Sequence, residues 1–196
     1  FNPKLGYPDK WKDYSKVPIR RDAFWASSVA ARQFAVNDDD AQINKPVDRG
    51  RWYMSPPTSN AYYNPALNEI VFPAGILQPP AFSVDAIDAV NYGAIGVVIG
   101  HEISHGFDDQ GRRYDGHGNL QDWWAESDNE EFTRRAKAFG AQYDASSPLP
   151  GTHVNAELTM GENIADLAGV AMAYRAYKLS LKGRQAPVID GYTGDQ

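Results

Sequence analysis

The chain has 196 residues, 42% of them hydrophobic, and a net charge of −6 with no cluster of basic residues, which excludes a nucleic-acid-binding surface. It has no cysteine, so disulfides and thiolate metal sites are excluded, and any metal must be bound by His, Asp or Glu. The longest apolar run, residues 94–100, is too short to cross a bilayer, so we expect no membrane contact from this segment.

The first half of the chain is predicted to hold one helix and a small sheet. Residues 1–18 are punctuated by proline and are predicted to be irregular. Apolar residues at helical spacing, without Gly or Pro, predict a helix over residues 20–37. The segment 60–72, NAYYNPALNEIVF, predicts a β-hairpin because two β-prone runs flank an Asn-Pro turn signal.

The second half is predicted to be mostly helical, which makes the fold class α+β, mainly helical, with a small sheet at one edge. A long apolar helix is predicted over residues 85–106, another over 127–143 and a last one over 159–182. The pattern Ser127-x-x-Glu130 predicts a capping box at the start of the second of these helices. Close packing against another element would explain three glycines in the first, Gly93, Gly96 and Gly100.

His101 and His105 are four residues apart in the predicted apolar helix, with Glu102 beside the first. On a helix these positions point nearly the same way, so both imidazoles can bind one ion. This is the spacing of the H-E-x-x-H zinc motif, in which the Glu is a general base. The alternative is a solvated pair of histidines at a helix end, but chance would produce the motif in only roughly one such sequence in several hundred.

A catalytic zinc needs a third protein ligand and one open position. Glu162 and Asp166 lie four residues apart on one face of the last predicted helix, and Glu162 is a candidate ligand. Glu162 also fits a capping box with Thr159, and spacing alone does not decide between the two roles. The other histidines, His117 and His153, fall in turn-like sequences and are expected to be solvated.

Four segments resemble the catalytic domain of the neprilysin and endothelin-converting-enzyme metallopeptidases. They are NAYYNPALNEIVFPAGILQPP, VIGHEISHGFDDQGRRYD, DWW and GENIADLAGVAMAYRAY, in the family's order, and the resemblance covers most of residues 50–195. It implies a zinc-dependent endopeptidase acting on oligopeptides, with a thermolysin-like catalytic domain. It also implies one zinc per chain, held by His101, His105 and Glu162, because the Glu of GENIAD is the family's third ligand.

The same resemblance assigns roles to the neighbouring carboxylates. Glu102 is expected to activate a zinc-bound water as general base and to deliver the proton to the leaving amine. Asp166 matches the family's carboxylate that orients a metal-bound histidine and serves catalysis, and Asp108 is expected to support the other histidine. Without the resemblance, Asp108 and Asp109 would be interpreted as a polar loop that ends the helix.

Asn60 and Ala61 match the family's Asn-Ala-aromatic motif. The resemblance implies that the Asn60 amide and the Ala61 carbonyl bind the backbone of an extended peptide substrate. The alternative is a hairpin turn residue beside a small core residue. Three apolar residues are expected to line the pocket beyond the scissile bond: Ile76, Val97 and Val98. Ala81 stands where family members often carry an aromatic residue, which predicts a roomier pocket or one filled by Phe82.

We interpret residues 1–196 as part of a catalytic domain, with 1–50 as a lead-in helix and loops and 51–196 as the zinc-site core. The resemblance implies an N-terminal lobe and a C-terminal end of the catalytic domain outside this chain, the latter with a His and an Arg that stabilise the oxyanion. The expected partners are therefore a peptide substrate and the remainder of the same polypeptide. The segment alone is expected to be a poor peptidase.

The lack of cysteine, unlike the disulfide-linked animal members, predicts a bacterial relative. An extracytoplasmic location (periplasmic, surface or secreted) is expected, with a cytoplasmic one left open. Two other functions stay open at this point. One is a zinc-bound structural or peptide-binding module without turnover. The other is a different metal hydrolase with the same ligands, against which the peptide-binding motif at Asn60 and Ala61 argues.

Overall fold

A computed structural model of the chain describes residues 1–192, which divide into two units. One unit comprises Phe1–Tyr7 and the described residues from Met54 onward, and the other is Pro8–Tyr53. The larger unit holds a three-stranded sheet and four α-helices, and the smaller unit holds one α-helix. The described chain is therefore mainly helical with a small sheet, as predicted. No helix within residues 1–192 combines the length and apolar character that a membrane crossing requires.

The smaller unit is built on helix α1, Phe24–Asp40, which begins later than the predicted residue 20. Ser27 is buried, and its Oγ accepts a hydrogen bond from the Arg20 backbone N–H at 2.9 Å and donates to the Arg20 carbonyl at 3.3 Å. These bonds fold the residues ahead of the helix back onto its first turn. The segment from Arg20 is therefore non-helical although its composition permits a helix.

The C-terminal end of α1 carries three consecutive aspartates, which the helix dipole disfavours. Lys12 Nζ lies 2.7 Å from Asp38 Oδ2 and Arg51 Nη2 lies 2.6 Å from the same atom, while Arg51 also pairs with Asp39. The hydrogen bond from Lys12 holds the pKa of Asp38 below its ordinary value. These pairs offset the unfavourable charges and connect both ends of the unit to the helix.

The sheet consists of β1 (Asn2–Gly6), β2 (Tyr62–Asn64) and β3 (Glu69–Pro73) in the order β1-β3-β2. β3 pairs antiparallel with β2, which confirms the predicted hairpin, and parallel with β1. All five residues of β3 are buried, as expected for a central strand. The core cluster behind the sheet comprises Ala61, Ile70, Phe72 and Ile95.

Strand β1 shows that the prediction of an irregular segment over residues 1–18 was wrong for residues 2–6. Pro3 is acceptable there because β1 is an edge strand. Lys4 Nζ lies 2.6 Å from Glu69 Oε2, and the Glu69 side chain is fully buried. A buried charge needs such a partner, so this pair fixes the position of β1 against β3.

The predicted helix over 85–106 is broken into α2 (Asp88–Gly93) and α3 (Ile95–Ser104). Ala94 is non-helical, with φ −105° and ψ −95°. The break lets the backbone N–H of Ile95 donate to the carbonyl of Ala81 at 2.9 Å and lets the Ile95 side chain join the core. A tertiary hydrogen bond and a buried side chain thus interrupt a pattern that locally favours one continuous helix.

Helix α4 spans Glu126–Asp144, close to the predicted 127–143. The predicted capping box is wrong, because the residue before the helix is Ala125 and no side chain caps it. Ser127 lies inside the first turn, where it cannot act as the N-cap for Glu130. The acidic residues of this turn, among them Glu126, complement the helix dipole instead.

Helix α5 spans Ala156–Ser180 and begins before the predicted start at residue 159. Asn155 is the N-cap, and its Oδ1 accepts from two backbone N–H groups of the first turn at 3.1 and 3.2 Å. Thr159 is therefore inside the helix, where its Oγ1 accepts from Asn163 Nδ2 at 2.9 Å. The capping-box interpretation of Thr159 and Glu162 is wrong, which leaves Glu162 available for another role.

Helices α3 and α5 touch backbone to backbone at Gly100 and Gly169. A Cβ on Gly100 would lie 2.8 Å from Gly169 Cα, and a Cβ on Gly169 would lie 2.7 Å from the Val97 carbonyl oxygen and 2.9 Å from the His101 nitrogen. No side chain fits at either position, because only backbone atoms could move away. For Gly100, the structure thus confirms the prediction that close packing against another element explains a glycine within the helix.

The substitution Gly100→Ala is expected to destabilise the protein by about 1–3 kcal/mol, because a methyl group would overlap the backbone of Gly169. Gly96→Ala, one turn earlier, is the matched control. A Cβ there meets its nearest atom at 3.4 Å, an ordinary contact, and alanine favours the helix by up to about 1 kcal/mol. Chemical unfolding of both variants measures the difference, and equal stabilities would contradict the importance of the contact.

Candidate metal centre

The α3–α5 contact brings together the side chains that the sequence analysis selected. His101 lies in the last turn of α3, and His105 begins a single turn of 3₁₀ helix, His105–Phe107, that continues it. Glu162 and Asp166 lie on successive turns of α5, after its N-terminal end. Because Gly169 lies directly against His101, the two helices approach closely enough for these side chains to meet.

Three potential ligand atoms converge at one point. His101 Nε2 lies 3.0 Å from His105 Nε2 and 3.2 Å from Glu162 Oε2, and His105 Nε2 lies 3.6 Å from the same oxygen. Ligands about 2.0–2.1 Å from a tetrahedral zinc are about 3.3 Å apart, which these distances bracket. Within residues 1–192, these three are the one group of His, Asp and Glu close enough to hold one ion.

The second nitrogen of each imidazole is bound to a carboxylate. His101 Nδ1 lies 2.8 Å from Asp166 Oδ1, and His105 Nδ1 lies 2.7 Å from Asp108 Oδ2. A carboxylate accepts the proton of Nδ1, so the neutral imidazole has a free lone pair at Nε2. Two such lone pairs and the Glu162 carboxylate then face one another, an arrangement that a cation stabilises. The donor set, two nitrogens and one oxygen with oriented second nitrogens, fits zinc.

Asp108 is buried and held on several sides. Its Oδ1 accepts from the backbone N–H groups of Gln110 at 2.8 Å and Gly111 at 2.6 Å, while Oδ2 faces His105. Burial alone would raise the pKa of Asp108, but the hydrogen bonds from His105, Gly111 and Gln110 outweigh it and lower that pKa. The bond to Asp108 in turn raises the pKa of His105 above its ordinary value.

Gly111 makes this arrangement possible. A Cβ on Gly111 would lie only 1.7 Å from the His105 carbonyl oxygen. Any other residue would therefore displace the Gly111 backbone N–H from the position in which it donates to Asp108. Helix α5 is also close, because a Cβ on Gly161 would lie 3.0 Å from Asp108 Oδ2. The polar loop is therefore a packed support for His105.

Glu102 lies beside the ligand group and not in it. Its side chain is on the buried face of α3, and burial raises the pKa of Glu102 above its ordinary value. The nearby His105 and His101 oppose that shift, as does a hydrogen bond from the backbone of Tyr63 on β2. A carboxyl group with a raised pKa next to a metal-binding group has the properties of a general acid or base.

A cleft of about 390 Å³ opens over these side chains. One wall is the edge of the sheet, where Asn60 is exposed, Ala61 is buried and Asn60 Oδ1 accepts from the Ala61 backbone N–H at 2.9 Å. Its lining residues are Asn60, Ala61, Tyr62, Tyr63, Pro65, His101, Glu102, His105, Asp108, Gln110, Gly111 and Glu162. The predicted substrate-binding and metal-binding segments thus share one surface.

Three predicted pocket residues lie elsewhere. Ile76 and Val98 pack against the core cluster, as does Phe82, and the Val97 carbonyl lies against Gly169 of α5. None of Ile76, Val97 and Val98 lines the cleft over the metal group within residues 1–192. Their assignment to a pocket beyond the scissile bond stays a prediction.

His117 and His153 are both exposed, as expected for solvated loop residues.

Sequence reasoning missed several residues of the cleft, chiefly Tyr63, Gln110 and Gly111. Tyr63 lies two residues after Ala61 and therefore on the same side of the extended chain, so the strand pattern of the Asn-Ala-aromatic motif could have identified it. Gln110 and Gly111 follow Asp108 directly, and an Asp that accepts from the backbone two and three residues ahead is a common turn motif.

The family model described as Peptidase family M13 matches residues 60–196 of the sequence. The chain belongs to peptidase family M13. Endothelin-converting enzyme 1 of Homo sapiens is 45% identical over an alignment of 184 positions, which covers 89% of this chain and 23% of the relative. This finding agrees with the resemblance to neprilysin and endothelin-converting enzymes in the sequence analysis.

Solved structures of bacterial peptidases share the fold of this M13 chain. The zinc metalloprotease Zmp1 of Mycobacterium tuberculosis, in complex with an inhibitor, superposes with a TM-score of 0.91 at 56% identity, covering 100% of this chain and 31% of that one. PepO from Lactobacillus rhamnosis has a TM-score of 0.79 at 39% identity, covering 95% and 29%. The M13 chain spans about a quarter of the length of the curated relatives it matches.

If Glu162 is a zinc ligand, Glu162→Gln is expected to weaken zinc binding by more than about 100-fold, beyond the loss typical of a carboxylate that only orients a ligand. Glu157→Gln, an exposed glutamate in the first turn of the same helix, is the matched control and should bind zinc normally. Competition with a chromophoric chelator measures both affinities. An unchanged stoichiometry and affinity in Glu162→Gln would remove Glu162 from the ligand set.

If Asp166 orients His101, Asp166→Asn is expected to reduce zinc affinity or turnover by about 10- to 100-fold while the fold is preserved. The amide keeps an acceptor for His101 Nδ1 but loses the negative charge that makes the imidazole a stronger ligand. Circular dichroism and thermal unfolding monitor the fold, and chelator competition and peptide cleavage monitor the site. Wild-type values in all of these would show that Asp166 is only a solvated helix residue.

Proposed function

We propose that this chain is the zinc-binding part of a metalloendopeptidase that hydrolyses peptide bonds in oligopeptides. The observation that carries the proposal is the convergence of His101 Nε2, His105 Nε2 and Glu162 Oε2 beside the buried Glu102. Membership of peptidase family M13 and the likeness to a zinc metalloprotease bound to an inhibitor support it. In this proposal the arrangement around the zinc is thermolysin-like, with one zinc per chain.

The ligand set supports a catalytic role for the zinc. Structural zinc sites are closed by four protein ligands, whereas catalytic sites have three and keep one position open. His101, His105 and Glu162 are three, and the cleft gives a substrate access to them. When bound, zinc would polarise the scissile carbonyl and acidify water. The rival proposal of a structural zinc module is less well supported because no fourth ligand joins the group within residues 1–192.

Glu102 is proposed to be the general base. It takes a proton from the attacking water and later delivers it to the leaving amine, so one carboxylate serves both steps. Burial favours a carboxyl group that can hold this proton between the steps. Asp166 and Asp108 are proposed to hold the imidazoles of His101 and His105 in the orientation and tautomer that leave Nε2 free.

The edge of β2 is proposed to bind the substrate backbone. β2 is an edge strand whose residues line the cleft, and an extended peptide can add to such an edge through backbone hydrogen bonds. Asn60 and Ala61 lie at the start of this edge, so the Asn60 amide and the Ala61 carbonyl are the proposed contacts. The same contacts argue against a hydrolase for small non-peptide substrates.

The remainder of a longer polypeptide is proposed as a partner of this segment. The support is the length of the curated relatives, of which the chain spans about a quarter. Large apolar side chains, including Phe107 and Trp123, are about half exposed and line a second cavity of about 490 Å³. Residues outside the chain would cover such a surface and complete the catalytic unit.

The solved bacterial relatives support a bacterial origin, and an extracytoplasmic location stays part of the proposal.

Replacing the base tests this function directly. In the full-length protein, Glu102→Gln is expected to retain one zinc per chain and to lose about a hundred- to ten-thousand-fold in turnover. The fold should be unaffected, because a neutral amide is no less suited to the buried position than a carboxylate. Metal analysis and cleavage of a chromogenic peptide are the measurements. Loss of the zinc together with activity would show that Glu102 is a ligand, and full turnover would overturn the proposed function.

A further inference from the structure

Tyr63 lies on β2 beside the candidate metal ligands His101, His105 and Glu162 and lines the same cleft. Its backbone N–H lies close enough to the Glu102 carboxylate to lower the pKa of that group, and both residues line the same cleft. Its side chain lines the cleft on one side and packs against the core cluster on the other. It is therefore the point where strand β2 meets the proposed general base.

The ring of Tyr63 is held from three directions. The Phe1 ring lies 5.7 Å away between centroids, tilted by 60°, and the Tyr63 hydroxyl donates to Asn68 Oδ1 at 3.3 Å. The end of the ring lies against Gly106, where an added Cβ would be 3.2 Å from the hydroxyl oxygen. Gly106 separates His105 from the turn that leads to Asp108, so the ring contacts the metal-binding segment itself.

Glu102 needs such a fixed neighbour because its side chain has several rotatable bonds. Holding a glutamate in one rotamer costs side-chain conformational entropy, which polar contacts and close packing must offset. On the side of the sheet, the neighbour is Tyr63, whose backbone N–H approaches the carboxylate and whose side chain packs against the core cluster. The position of this N–H depends in turn on the ring, which fixes the strand between the core, Phe1 and Gly106.

We propose that Tyr63 is a positioning residue for the reaction, and that its anchored ring aligns the Glu102 carboxylate with the water that is attacked at the metal group. The inference rests on the proposed function, in which Glu102 is the general base. Tyr63 would thus act on the alignment of the general base, whereas Asn60 and Ala61 are proposed to bind the substrate backbone.

The test uses the full-length, zinc-loaded enzyme. Tyr63→Leu is expected to lower kcat by about 10- to 100-fold, the loss typical of a misplaced catalytic group, with KM changed by less than about twofold and zinc content unchanged. Tyr63→Phe keeps the ring and the strand position and is expected to restore most of the lost kcat. A loss that appears in KM with kcat intact would mean that Tyr63 binds substrate, and would overturn the proposal.

Tyr143→Leu is the matched control for a general effect of losing a tyrosine ring. Tyr143 is half-buried on α4 and packs against Phe139 with ring centroids 5.2 Å apart, outside the cleft. Both leucine variants are expected to lower the unfolding midpoint, but only Tyr63→Leu is expected to lower kcat. Equal loss of kcat in the two variants would reduce Tyr63 to a structural residue.

A double-mutant cycle with Glu102→Gln shows whether Tyr63 acts through Glu102. If it does, Tyr63→Leu lowers kcat in the wild-type background and changes it by less than about twofold when Glu102 is already replaced. An equal fold-decrease in kcat in both backgrounds would overturn the proposal for Tyr63 and would leave the proposed function unaffected. Full turnover in Glu102→Gln by itself would instead contradict the proposed function, so the two failures are distinguishable.

Phe1→Ala is the second perturbation if Tyr63→Leu does not accumulate as folded protein. It removes the ring that supports Tyr63 and leaves Tyr63 itself intact. At equal zinc occupancy it is expected to lower kcat by about threefold or more, with the same dependence on Glu102. An undiminished kcat in folded Phe1→Ala would show that anchoring the ring is unimportant for alignment.

Discussion

The backbone contact between Gly100 and Gly169 is the constraint on which the candidate metal-binding group of His101, His105 and Glu162 depends. His101 follows Gly100 directly, and Glu162 and Asp166 precede Gly169 by two turns and one turn of α5, so the distance between the helices sets the distance between the ligand atoms. A side chain at either glycine would separate the helices by more than the few tenths of an ångström that coordination distances tolerate. The two glycines thus determine how far apart the candidate ligand atoms lie.

The carboxylates around the site act at different distances from the ligand atoms. Asp166 and Asp108 each hold the far nitrogen of an imidazole, Asp108 with further support from the backbone of the following turn. Glu102 follows His101 on α3, where burial raises the pKa of its carboxyl group while the nearby histidines and the Tyr63 backbone N–H lower it. The pKa of Glu102 is therefore raised by burial, whereas hydrogen bonds lower the pKa of Asp108, because the surroundings of the two groups differ.

Much of this arrangement could be predicted from sequence, where the signal is local and periodic. The helical spacing of the two histidines and the hairpin pattern were sufficient to place those residues. Placing Glu162 beside the histidines needed a family resemblance, because its spacing fits a capping box equally well. What failed depended on distant residues. The break at Ala94 follows from a hydrogen bond to Ala81, and strand β1 forms only because residues far along the chain supply its partner. Neither leaves a trace in the nearby sequence.

The parallel pairing of β1 with β3 has a consequence for how the molecule is made. Asn2 is paired with Glu69, and the intervening chain contains the whole unit Pro8–Tyr53. During synthesis β1 leaves the ribosome long before its partner exists, with a lysine that will later be almost fully buried. Early folding of Pro8–Tyr53 would shorten the loop that must close, at a saving of about 0.6 kcal/mol for each halving of its length. The β1–β3 pairing is thus the high-contact-order part of the sheet that supports the cleft, whereas the β2–β3 hairpin joins residues that are close in sequence.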